Sequence, residues 1–358
     1  MPCYLSRDKS FISEAIIKSP SEVRALRRLY RLLLTVVVGV LLYVLLVKIL
    51  GVGGAECLEL LSSLNLPLLL LAIALRGCVP FLHSLELYLA MRVLGLTPRL
   101  IHIYRVVCAS LGTEYVVPLG GVSEVVKTYG IVQEGFALRH AIVSVFLQRF
   151  MVSSAVALIG SAAITIIGSS KLLLLVILAW LVAVINLGLL LSFLGEYSWS
   201  RLVALSKRFA PKWLQRIVEN EGPVSISNPS LLAVLAGVAV LERFTIVVAG
   251  YLSSLSAGLK LSFPLAIVFF DTLYTIIWIL PMITPGQIGI LEAVQLTIMK
   301  LSGIRGLLAA IIPIVSRIVI MVAEAPQYIL SLATGLYSII GRIESGGLNE
   351  VRRLFEET

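Results

Sequence analysis

The chain has 358 residues, 59% of them hydrophobic and only 14% charged, with a mean hydropathy of +1.01. Those values exclude an ordinary soluble domain and describe a polytopic membrane protein. The net charge of +9 requires no nucleic acid, because basic residues gather on the cytoplasmic flanks of membrane helices. Four scattered cysteines, and three histidines (His83, His102 and His140) without ligand spacing, give no disulfide framework, metal site or cofactor.

At 1.5 Å per residue, about 20 apolar residues cross a hydrocarbon core of about 30 Å. Six runs qualify, at about 29–50, 66–91, 139–168, 171–194, 229–257 and 307–341. The first is too long for the apolar region of a secretory signal and reads as a retained helix. Arg24, Arg27, Arg28 and Arg31 precede it, which puts the basic segment 1–28 in the cytoplasm. Arg201, Lys207, Arg208, Lys212 and Arg216 place the 195–228 loop on the same side, and Arg342, Arg352 and Arg353 do so for the tail 342–358. The expected location is a cell membrane, with both termini cytoplasmic.

Those sides constrain the regions 101–134 and 261–300. A single crossing in 101–134 would carry the basic 195–228 loop outside, so this region is expected to enter and leave on the cytoplasmic face. By the same count 261–300 enters and leaves from the other face; paired full crossings in each region would preserve the charge pattern equally well. One transmembrane domain, 29–341, is thus expected, with repeat halves at about 66–168 and 229–341.

The two regions echo each other. Pro118-x-x-Gly121-x-x-Glu124 is followed by Pro285-x-x-x-Gly289-x-x-Glu292, and each glutamate precedes an arginine by 25 residues, Arg149 and Arg317. The expected fold is therefore an all-α integral membrane bundle of about six full spans and two re-entrant or broken helices in an inverted repeat, an architecture used by transporters.

Proline followed by glycine stops one helix and starts another, leaving about four unpaired N–H groups at an electropositive end. Pro118, Gly120, Gly121, Pro285, Gly286 and Gly289 are the candidate hinges. If Gly121 and Gly289 are N-caps, Glu124 and Glu292 fall at N3, where they cap the helix start or hold a polar headgroup. Arg149 and Arg317 either pair with those glutamates or clamp a lipid phosphate with the planar guanidinium fork. Glu242 and Arg243, about 100° apart on one span, cannot both face lipid cheaply. Asp271, Tyr274 and Trp278 share a helical face, as a polar lining or an aromatic packing stripe. Arg76, Arg105 and Glu114 are further charges in or near the membrane, and Pro80, Pro313 and Pro326 are expected to kink their spans.

"VPLGGVSEVVKTYGIVQEG", "AIVSVFLQRF" and "ITPGQIGILEAV" resemble the integral-membrane region of the lysylphosphatidylglycerol synthase and flippase family, including its stand-alone bacterial and archaeal relatives, over roughly residues 25–340. The later element, Pro285, Gly286, Gly289 and Glu292, matches the family pattern well. The earlier one is looser, and Gln148 stands where the family has the glutamate of a Glu-Arg pair. The resemblance implies lipid translocation; with only a short tail after the last span, the soluble synthase domain of two-domain members is expected to be absent.

The expected function is a flippase for a polar-headgroup lipid or lipid-linked intermediate, with Glu124, Arg149, Glu292, Arg317, Glu242, Arg243 and Asp271 as substrate-binding residues and no catalytic residue. Its partners would be membrane lipids, with a lipid-linked sugar or aminoacyl lipid as cargo and a homodimer or separate synthase left open. The alternatives are a membrane transferase acting on a polyprenyl phosphate or phospholipid, and a non-transporting scaffold subunit.

Overall fold

The computed structural model describes residues 62–116, 121–196, 224–273, 290–304 and 307–331, with a few isolated positions besides. The expected first span 29–50, the hinge residues Pro118, Gly120, Pro285, Gly286 and Gly289, the pair Tyr274 and Trp278, most of the 195–228 loop and the tail 342–358 lie outside the described residues.

Among the described residues all regular structure is helical, and five spans are long and apolar enough to cross a membrane: Leu66–Val93, Leu138–Ile167, Leu173–Leu194, Ser230–Ser256 and Leu307–Ser331. These are the expected spans that fall within the described residues. The chain is a multi-pass membrane protein.

The first of these spans is two helices in series, α1 (Leu66–Gly77) and α2 (Val79–Val93). Asn65 starts α1 by accepting the Leu68 amide at 3.2 Å. Pro80 lies in the opening turn of α2, where its missing N–H costs nothing, so it marks a restart at Cys78. The far end of α2 is tied down, because the Val93 carbonyl accepts the amides of Ser227 and Asn228 at 2.9 and 3.0 Å, just ahead of the later helix Ser230–Ser256.

The 101–134 region is a pair of short helices, α3 (Leu100–Val116) and α4 (Val122–Gln133), packed on each other. At 1.5 Å per residue they are about 26 and 18 Å long, each short of a full crossing of about 30 Å. Gly121, at φ +84°, is the N-cap of α4. That left-handed backbone is one a side chain would resist, which explains a glycine at the restart.

α5 (Leu138–Ile167) and α6 (Leu173–Leu194) form the most extensive helix pair, turning at Gly168 (φ +67°). Leu174, Ile177, Val184 and Leu191 leave much of α6 apolar and exposed, as suits a lipid-facing helix. The central element is α7 (Ser230–Ser256), which packs against α1, α2 and α5 and also meets the last helix. Next come α8 (Phe263–Ile267), widening into a π-helical turn at Val268–Thr272, then α9 (Ile290–Leu301) and α10 (Leu307–Ser331). α10 continues as one helix past Pro313 and Pro326, each of which removes one backbone donor from its hydrogen-bond ladder.

The π turn is wedged between α5 and α7. Two glycines make room for it: a Cβ on Gly250 would fall on the Phe270 ring, and one on Gly160 would lie 2.6 Å from the Thr272 hydroxyl oxygen. Only hydrogen at those two positions lets the wider turn sit this deep.

Candidate functional site

Both sequence-matched glutamates fall in the first turn of a short helix, α4 or α9, and reach their arginines. Glu124 is the third residue of α4; its Oε1 accepts from Ser123 Oγ at 3.0 Å and lies 3.1 Å from Nη1 of Arg149 on α5. Glu292 is the third residue of α9, and its Oε1 accepts from Nε of Arg317 on α10 at 2.5 Å. The two sites differ in burial. The side chains of Arg149 and Glu124 are 29% and 15% exposed, whereas those of Arg317 and Glu292 are 12% and 6% exposed.

Glu242 and Arg243 both turn inward on α7, with Arg243 Nη2 2.7 Å from Glu242 Oε1. Arg243 Nη1 also lies 3.6 Å from Oδ1 of Asp271, which the π turn directs into the interior. All seven expected binding residues that carry charge are thus held in ion pairs, in three groups. Of the other expected charges, Arg76 pairs with Glu324 at 2.5 Å, where Tyr328 also donates to the carboxylate at 2.6 Å. A small recess lined by Arg76, Ser253, Phe270 and Ser316 opens beside this pair. Arg105 is exposed on α3.

The structure adds residues that the sequence reading set aside. His83 and Glu86 lie one turn apart on α2, and His83 Nδ1 is 3.2 Å from Glu86 Oε2 and 3.2 Å from Glu242 Oε1. On the other side of the ring, Nε2 is 2.9 Å from Nζ of Lys127 on α4. Gln148 is fully buried on α5 and donates to the His83 carbonyl at 2.8 Å and to Glu86 Oε2 at 3.2 Å. Histidine spacing alone did not reveal this hub; the signal present in the sequence was His83-x-x-Glu86, an i,i+3 pair on one helical face.

The imidazole nitrogen and the two carboxyl oxygens lie within 4.8 Å of one another, close enough to suggest a metal's ligands. The protein's own cations already occupy the set. As an ammonium group Lys127 has donors only, so it donates a hydrogen bond to Nε2, which assigns the neutral ring's one proton to Nδ1, turned toward the two carboxyls. A nitrogen that carries a proton is not a ligand, and Arg243 covers the Glu242 oxygen. The arrangement is a hydrogen-bonded cluster of charged groups spanning α2, α4, α5, α7 and the π turn.

The family model described as the lysylphosphatidylglycerol synthase TM region matches residues 32–323. The chain belongs to that family. Membership in the lysylphosphatidylglycerol synthase TM family links the chain to membrane lipids, and the matched range takes in all three ion-paired groups and the His83 hub. A search of curated proteins finds no match to this chain. Within the family resemblance, Gln148 is the position where the earlier motif departs, and it is a neutral hydrogen-bond donor to Glu86 rather than a second acid beside Arg149.

Proposed function

We propose that the chain is a flippase that carries a polar-headgroup lipid, or a lipid-linked intermediate, between the leaflets of a cell membrane without transforming it chemically. The observation that carries this reading is the twofold occurrence of one device: a short helix within the membrane domain, a glutamate in its first turn, and an arginine 25 residues later drawn onto that glutamate. Charges kept inside a membrane domain are costly and mark the paths of polar cargo. The short helices α3 and α4 fit a hairpin that enters and leaves on one face, and the basic flanks support cytoplasmic termini with the second break reached from the opposite face.

In this mechanism, lipid phosphate competes with Glu124 and Glu292 for the guanidinium groups. Arginine offers phosphate the same planar fork that it offers a carboxylate, so the headgroup replaces one charge-assisted partner with another while its tails stay in lipid. Arg149 is the more open of the two and receives the headgroup first. Arg317 is the deeper station.

The test is translocation of fluorescent phosphatidylglycerol by the purified chain in liposomes, read by bleaching of the outer leaflet. A charge-assisted hydrogen bond contributes about 1.5–3 kcal/mol, so Arg149→Ala and Arg317→Ala are each expected to slow translocation by about tenfold to a hundredfold. Wild-type rates in both variants would remove the arginines from the path.

A further inference from the structure

Charge around the His83 hub does not balance. Glu86 lies on α2, Glu114 on α3, Glu124 on α4, Glu242 on α7 and Asp271 in the π turn; within electrostatic reach of them are the cations Lys127 on α4, Arg149 on α5 and Arg243 on α7. Arg76 of α1 is also in reach of Asp271, but it is bonded to Glu324. Among the described residues five carboxyl groups therefore face three cationic side chains, with His83 a neutral ring protonated on Nδ1. Uncompensated negative charge in such an interior is costly, and a carboxyl that takes up a proton relieves it.

Glu86 is where the deficit falls. Its side chain is fully inaccessible, its Oε1 has no hydrogen-bond partner, and its Oε2 faces the neutral donors Gln148 and His83 and the Glu242 carboxyl, to which it is hydrogen-bonded. Glu124 has Arg149 and Glu242 has Arg243, whereas no arginine or lysine lies within salt-bridge distance of Glu86 among the described residues. Two carboxyls presented to one imidazole N–H, as Glu86 and Glu242 are, form an arrangement that holds a shared proton rather than two full charges.

We infer that Glu86 is an exchangeable proton site, reached through Lys127 and His83, and that translocation is coupled to proton movement. This rests on the flippase reading above and names its coupling ion. The His83 ring lies between Lys127, on Nε2, and Glu86, on Nδ1; Lys127 is itself buried, so protons reach it from the side of the more open Glu124–Arg149 pair. The relay balances atom for atom. Lys127 Nζ–H breaks as His83 Nε2–H forms; His83 Nδ1–H breaks as Glu86 O–H forms; the ring ends neutral as its other tautomer, and Lys127 is reprotonated by hydronium, which leaves water. No oxidant, reductant or further reactant is required. Protonated Glu86 no longer draws on the Lys127 and Arg243 charges, which leaves the Glu124–Arg149 pair more readily opened by an anionic headgroup.

Two measurements on the purified full-length chain test this. In the first, infrared difference spectra across a pH titration look for a carboxylic-acid carbonyl band. The band is expected in the wild type and in Glu242→Gln, and expected to be lost in Glu86→Gln; its persistence in Glu86→Gln overturns the assignment. In the second, liposomes bearing fluorescent phosphatidylglycerol and an internal pH dye are subjected to a pH gradient. With one proton per cycle, each unit of gradient shifts the steady-state leaflet ratio by up to about tenfold in the wild type. That response is expected to fall to none in Glu86→Gln and His83→Gln. A full response in Glu86→Gln overturns the coupling, as does a wild type that moves lipid with no response. A titrating band without any lipid movement leaves the proton site standing and sinks the flippase reading instead. Stoichiometric zinc binding by the wild type that is abolished in Glu86→Gln would replace the proton with a divalent cation and overturn the inference.

Discussion

The two glutamate–arginine pairs, at the starts of α4 and α9, share their sequence spacing but not their surroundings. At the first, Glu124 and Arg149 meet in a partly open setting and adjoin a polar hub that draws on α2, α4, α5 and α7. At the second, Glu292 and Arg317 close directly on each other, more deeply buried. The same device thus serves as an accessible contact in one half and a tight clasp in the other, and the difference is set by what packs around each pair rather than by the motif itself.

The comparison can be broken most forcefully at the second pair. Removing one member of a buried ion pair strands the other, at about 3–5 kcal/mol, so Glu292→Ala is expected to lower the thermal unfolding temperature in detergent substantially. A double-mutant cycle over Glu292 and Arg317 should give a larger coupling energy than one over Glu124 and Arg149; equal values would mean that the two clasps are alike after all. Next in size is Gly250→Ala. Its methyl group would collide with the Phe270 ring, and overpacking of this kind costs about 1–3 kcal/mol, readable as a shifted denaturation midpoint. Smallest is the stability effect of Arg149→Ala, expected at about 1 kcal/mol or less because solvent screens that pair, even though the same variant has a large effect on translocation. A strongly destabilised Arg149→Ala would show that the first pair is structural.

Much of the frame was legible in the sequence because the bilayer imposes it. Long apolar runs gave the spans Leu66–Val93, Leu138–Ile167, Leu173–Leu194, Ser230–Ser256 and Leu307–Ser331, and the Pro/Gly breaks gave the restart at Gly121 and the turn-one placement of Glu124 and Glu292. The arginine partners were legible too, since an isolated guanidinium in lipid needs an acid and only a few acids were on offer. The hub was not. His83 and Glu86 become significant only when α7 delivers Glu242 and α4 delivers Lys127, contacts separated in the chain by 159 and 44 residues that no local pattern announces. Pro80, expected to kink a span, instead opens a new helix, because an N-terminal turn has no intrahelical use for the missing donor.

The π turn at Val268–Thr272 has one more effect on the chain around it. An α-helix advances about 100° per residue, so a single-residue deletion normally swings every later side chain onto another face. A π turn already holds a surplus residue, so trimming one residue there would relax the backbone into ordinary α geometry while the downstream register stayed in place. Inward aim of the Asp271 carboxyl is thereby separable from alignment of the helix that carries it, and one codon's removal would isolate that acid's contribution from the bundle's architecture.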